Sequence, residues 1–186
     1  MNAAKSLSIS ALQDIISNMQ TQNKETVGHL SSYQPVLLVF LRHFGCTFCR
    51  EALADIAKRR ASIEKNGIKI IFVHMSEHKL AERYFNRYEL AGIDHVSDPT
   101  CQYYAAFGLT KGNFTQLFGL KSWVRGFQAG VLDGHLIGTQ LGDGFQMPGV
   151  FVISKGKIQN SFIHKIASDR PDYESLVQCC VLPAYD

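Results

Sequence analysis

The sequence predicts an α/β fold in which helices lie on the faces of a central mixed β-sheet. Two short apolar runs, Val36 to Leu41 and Ile68 to Met75, have the strand formers and two-sided hydrophobicity of buried parallel strands. An amphipathic stretch from Thr47 to Lys65 separates them, giving the β-α-β order of a right-handed crossover. Near the C-terminus, Lys155-Gly156-Lys157 divides two further strand-like stretches, Val150 to Ser154 and Ile158 to Ile166, which is the signal of an antiparallel hairpin.

Taken in order, Ile9, Leu12, Ile15, Ile16 and Met19 recur at spacings of three and four, so an N-terminal helix is expected over about residues 8–20, capped by Ser8 or Ser10. Residues 21–34 read as a polar linker. In the stretch from Thr47 to Lys65, Leu53, Ile56 and Ile63 share one face while Glu51, Lys58, Arg59 and Glu64 lie elsewhere, and Asn66-Gly67 supplies the stop. Leu80, Tyr84, Phe85 and Tyr88 predict a second helix over Glu77 to Leu90. A closing helix is expected from about Asp169, with Pro171 in its first turn and acidic residues at the positive end of its dipole.

The 186 residues, 46% of them hydrophobic, suit a single domain spanning residues 1–186, with an inserted segment over about 110–145. The net charge of +3 is dispersed, and Lys58-Arg59-Arg60 reads as a solvated helix face, so no nucleic-acid partner is expected. The first twenty-five residues hold no uninterrupted apolar core, and the longest apolar run is far short of the about 20 residues that cross a bilayer. A soluble, cytoplasmic protein without a membrane partner is expected. Five cysteines without an export signal point to reduced thiols in a reducing compartment.

The chemistry is expected at Cys46 and Cys49. A Cys-x-x-Cys that follows a buried strand and opens a helix meets unpaired backbone N–H groups and a partial positive charge, both of which stabilise a thiolate. Cys46, at the very start, benefits most and is read as the attacking thiolate. Cys49 is read as the resolving thiol, which releases a mixed disulfide. Arg42, His43 and Arg50 add positive charge where their side chains turn toward the pair. The alternatives are half of a zinc site, whose other half is missing because Cys179 and Cys180 are adjacent and Cys101 stands alone, and a pair of inert core cysteines.

The segment from Val39 to Glu51 resembles the active-site segment of the peroxiredoxin-like proteins related to AhpC/TSA and to selenoprotein U. Ser97-Asp98-Pro99, Tyr104 to Leu109, Gly142-Asp143, Gln146 to Ile153 and Ser168 to Pro171 resemble the same group, in the expected order. The resemblance implies a thioredoxin-like three-layer α/β/α sandwich. It also implies a cis proline at Pro148 packed beside the thiols, with the backbone of Met147 pairing with substrate and Thr47, Phe48 and Arg50 supporting the site. True peroxiredoxins carry Pro-x-x-x-Thr-x-x-Cys, and Arg42, Cys46 and Cys49 stand at those positions. That correspondence makes Cys49 the peroxide-attacking thiol of a peroxidase reaction. The arginine that peroxiredoxins carry near Pro148 is absent, with Arg125 as a candidate substitute.

Three functional readings follow. The first is a thiol-disulfide oxidoreductase acting on protein or small-molecule disulfides, recharged by an unidentified thiol electron donor. The second is a thiol-dependent peroxidase using Cys49, and the third is a non-catalytic interaction module. No cofactor and no metal are expected: His74 reads as a hydrogen-bonded core residue on its strand, and His78 stands beyond the strand end. Cys101 reads as a small buried residue at a helix start, and one of Cys179 and Cys180 as core-facing. Gly126, Gly130, Gly134, Gly138 and Gly142 read as a coincidental row in a flexible stretch. The 110–145 segment, with Phe114, Phe118, Trp123 and Phe127, is expected to wall the thiol cleft and select substrate.

Overall fold

The structure, a computed structural model, describes residues 8–113 and 143–181. Its centre is a five-stranded sheet in the order β3-β2-β1-β4-β5. β1 (Val36–Phe40), β2 (Lys69–His74) and β3 (Asp94–Ser97) run parallel, and β4 (Gly149–Ser154) runs antiparallel to β1 and pairs with β5 (Lys157–Ile163) as a hairpin. The hairpin turn is Lys155-Gly156 with φ of 52° and 69°, the left-handed pair that a two-residue turn between twisted strands requires.

Alternation along β1 divides the core in two. Leu37 and Val39 face α3 (Thr47–Lys65), α4 (His78–Arg87) and the short closing helix α6 (Tyr173–Val177), packing with Leu53, Ile56, Phe85 and Tyr173. Val36, Leu38 and Phe40 face the other way, toward α1 (Ile9–Asn18), α2 (Val27–Tyr33) and α5 (Gln102–Ala106), where Ile16, Leu30 and Tyr104 meet them. Every residue of β1 is buried, as a strand covered by helices on both sides must be. The sheet with helices on both faces is the α/β/α sandwich of the thioredoxin-like fold.

The expected helices over 8–20 and 47–65 form as Ile9–Asn18 and Thr47–Lys65, the first capped by Ser8, whose hydroxyl accepts from the Ala11 amide. Three elements differ from the sequence reading. Residues 27–33 form a helix rather than linker, because the Thr26 hydroxyl accepts from the His29 amide while Val27 and Leu30 turn into the core. The rest of that stretch covers the sheet edge: the Gln22 side chain accepts from the His95 amide at 2.7 Å and Asn23 donates to Asp94. β3 itself was not expected. The closing helix starts at Tyr173 because the Asp172 carboxylate accepts from the Ser175 amide, which leaves Pro171 ahead of the cap instead of in the first turn.

Most of the 110–145 segment lies outside the described residues, and with it Arg125, the four aromatic residues and the glycine row. Its two flanks lie side by side. Lys111 pairs with Asp143 at 2.7 Å, Lys111 bridges to Gln146, and the Gly112 amide donates to the Phe145 carbonyl at 2.7 Å. Among the described residues, no helix is long and apolar enough to cross a membrane.

Candidate thiol site

The thiol pair sits where β1 gives way to α3. Cys46 is the N-cap, with extended backbone (φ −79°, ψ 127°), and its carbonyl accepts from the Arg50 amide in the first turn of the helix. The three residues that separate Arg42 from Cys46 turn back on themselves, the Cys46 amide donating to the His43 carbonyl at 2.9 Å. Both sulfurs are buried, Cys46 with 7% and Cys49 with 4% of its surface exposed.

Arg42 organises the pair from both ends. Its backbone N–H donates to Cys49 Sγ at 3.2 Å, and its guanidinium Nη1 donates to Cys46 Sγ at 3.3 Å. The remaining edge of the guanidinium, Nε and Nη2, donates to the Gly144 carbonyl. A buried cation is thereby fixed by a carbonyl on one edge and aimed at one sulfur on the other, a geometry that the planar guanidinium fork suits.

The two thiols are held in opposite states. Cys46 lies below the ordinary thiol range chiefly because the Cys49 thiol donates to its sulfur. Burial opposes this, while the Arg42 charge and the amides of Cys49 and Phe48 at the helix start add to it. None of those amides caps the sulfur in close hydrogen-bond geometry, so their contribution is that of nearby dipoles. Cys49 lies well above the ordinary range, first through burial, then because it gives its proton to Cys46 and faces that thiolate; Arg42 acts in the other direction. The arrangement favours the thiolate at Cys46 and the protonated thiol at Cys49.

The other expected site residues fall at different distances from this chemistry. Thr47 is buried as the first residue of α3, and Phe48 packs against Met147 and Ala167. Arg50 donates to the Phe44 carbonyl at 2.9 Å and lies 5.7 Å over the Tyr84 ring. Pro148 lines the same cleft as Cys46, Cys49, Phe48, His164 and Arg170. Its peptide bond is trans, contrary to the cis expectation, since no cis bond occurs among the described residues. An X-Pro bond favours trans by about 0.5–1 kcal/mol. Here Met147 is also tied down on both sides, its amide donating to the Thr110 carbonyl and its carbonyl accepting from the Gln146 side chain. A substrate backbone pairing at Met147 therefore has to displace Thr110.

Two features were not visible in the sequence. The Arg42 guanidinium takes its direction from Gly144, and Arg170 spans the cleft wall to Glu51 at 3.3 Å and Asp55 at 2.5 Å. Glu51, on the first turns of α3, is buried in this ion-paired arrangement, which ties α3 to the segment just before α6. Cys101 precedes α5 with left-handed backbone (φ 58°), and Cys180 packs at the core while Cys179 is exposed.

The fold and the paired thiols define a thioredoxin-fold protein of the peroxiredoxin-like class. The profile of the AhpC/TSA antioxidant enzyme family matches residues 55–168, and the chain belongs to that family. The match begins beyond Cys49, so it speaks for the family and leaves the thiol pair to be judged on geometry. A thioredoxin-like protein AAED1, chloroplastic, of Arabidopsis thaliana is 24% identical over 166 residues, covering 85% of this chain and 66% of that protein. A prostamide/prostaglandin F synthase of Danio rerio is 26% identical over 173 residues, covering 91% of this chain and 85% of that one. Among solved structures, peroxiredoxin Q of Xanthomonas campestris superposes with a TM-score of 0.58 at 16% identity, over 87% of this chain and 88% of that chain, a likeness of fold.

Proposed function

We propose that this chain is a thiol-disulfide oxidoreductase in which Cys46 attacks and Cys49 resolves. The observation that carries the reading is the charge-assisted hydrogen bond that Arg42 Nη1 gives Cys46 Sγ at 3.3 Å, with the neighbouring Cys49 thiol acting in the same direction. Together they make Cys46 the sulfur that is ionised in the resting site. The Cys46 thiolate attacks a substrate disulfide, forming one S–S bond as another breaks and releasing the leaving sulfur as a thiolate. Cys49 then loses its proton to that thiolate and attacks Cys46, which releases the second substrate thiol and leaves a Cys46–Cys49 disulfide. Two electrons pass to the substrate, and a separate thiol donor returns them to the protein. Five cysteines support placing this reaction in a reducing compartment, the cytoplasm, although the Arabidopsis relative is named as chloroplastic.

Membership of an antioxidant enzyme family supports peroxide as a second substrate class, and the relatives named prostamide/prostaglandin F synthase extend that class to prostaglandin-like compounds. The geometry supports Cys46, rather than Cys49, for this step as well. Attack by the Cys46 thiolate on an O–O bond yields a sulfenic acid and an alcohol or water. Cys49 condenses with the sulfenic acid, releasing water and closing the same disulfide.

The test is trapping. Cys49→Ser and Cys46→Ser variants are treated with a disulfide substrate such as oxidised glutathione, and the adducts are located by mass spectrometry. A stable adduct on Cys46 in Cys49→Ser, with little on Cys49 in Cys46→Ser, is expected. The reverse pattern would overturn the assignment.

A further inference from the structure

On the face of the sheet covered by α3 and α4, three imidazoles converge. His74 ends β2, His95 lies on the neighbouring β3, and His78 opens α4. His74 and His95 are each 1% exposed, and His78 is open to solvent. His95 Nδ1 is the shared atom, 2.8 Å from His74 Nε2 and 3.3 Å from His78 Nδ1, and one ligand nitrogen from each ring lies within 4.8 Å of the other two.

Hydrogen bonding alone leaves this trio overloaded. The Ser76 amide donates to His74 Nδ1 at 3.2 Å, so in the neutral ring the proton of His74 sits on Nε2. That proton points at His95 Nδ1, which therefore accepts and offers a single in-plane lone pair. His78 Nδ1 competes for the same lone pair. The tautomer also places the proton of His95 on Nε2, which is buried and has no hydrogen-bond partner among the described residues.

We infer that His74, His78 and His95 form a binding site for a divalent transition-metal ion of the zinc type. Zinc–imidazole bonds of about 2.0–2.1 Å on a tetrahedral ion hold their nitrogens about 3.3 Å apart. The His78–His95 separation already has that value, and the His74–His95 pair opens by about half an ångström to reach it. Two ligands come from adjacent strands and are fixed by the sheet. The third, on the exposed first residue of a helix, swings to complete the set and leaves a fourth position toward water. Binding at His74 Nε2 moves its proton to Nδ1 and releases the Ser76 amide, with no net loss of a proton from the ring.

Zinc chloride is the probe, added to the full chain carrying Cys46→Ser and Cys49→Ser so that the thiol pair is silent, with uptake read by equilibrium dialysis. Uptake of one equivalent is expected, with 15N shifts at the imidazoles of His74, His78 and His95. Adding His78→Ala, at an exposed position that does not unsettle the core, is expected to weaken uptake by at least about tenfold. Absence of uptake, uptake without shifts at these three rings, or equal affinity in the His78→Ala protein would each overturn the inference.

Discussion

Arg42 Nη1 stands 3.3 Å from Cys46 Sγ, while the backbone N–H of the same residue stands 3.2 Å from Cys49 Sγ. One residue thus touches both sulfurs, but presents full charge to one and only a dipole to the other. Burial raises both thiols, so this difference and the hydrogen bond between the sulfurs decide which one ionises.

Replacing Arg42 by methionine keeps the apolar stem and removes the cation. The Cys46 pKa is expected to rise by about one unit, the lower end of the effect of an adjacent opposite charge. The rate of alkylation by iodoacetamide, measured against pH, reads this directly. An unchanged profile would show that the guanidinium contributes nothing to the thiolate.

Cys49→Ala removes the largest single influence on Cys46, the donated thiol proton. Its effect on the same profile should exceed that of Arg42→Met. In the intact protein Cys46 is held down to about 6, so its alkylation should already be near maximal at neutral pH. An inflection near the ordinary thiol value of about 8.5 contradicts this.

Burial holds His164 and His43 at about 4, below the ordinary histidine value, and each has a buried Nδ1 without a hydrogen-bond partner among the described residues. Unfolding exposes both rings, and between about 6.5 and 4 the unfolded chain binds more protons than the folded one. Stability from these groups is present above about 6.5 and is lost as the pH falls toward 4. Urea unfolding across that window should show a declining midpoint, and His164→Gln should flatten the decline.

Gly28 lets α2 approach α1. A Cβ there would lie 2.5 Å from the Ser17 Cα, a backbone atom that cannot turn aside. Gly28→Ala is expected to destabilise the fold by about 1–3 kcal/mol, outweighing the about 0.5–1 kcal/mol that alanine gains in a helix. Thermal unfolding measures the sign as well as the size.

The elements legible in the sequence are those whose signal is local. Leu53, Ile56 and Ile63 define α3 by their spacing, and Lys155-Gly156 defines the hairpin turn by the φ values it permits. α2 was hidden because seven residues carry little periodicity and its start depends on one hydroxyl, that of Thr26. β3 was hidden because Asp94 and His95 are polar. They are buried only because Lys69, Asn23 and Gln22, from other parts of the chain, supply their partners. The thiol pair was legible, but the direction of Arg42 was not, since it is set by a carbonyl 102 residues away. The histidine trio was obscured for the same reason: His95 joins His74 only through strand pairing.

The unequal sulfurs also bear on energetics of another kind. Whatever stabilises the Cys46 thiolate stabilises the dithiol form of the pair and does nothing for its disulfide. A disulfide at this place is accordingly a stronger oxidant than one between ordinary thiols, with a reduction potential displaced upward. On the proposed mechanism, the Arg42 cation, held by the Gly144 carbonyl, is a setting for that potential, and a pair without it is expected to be more reducing.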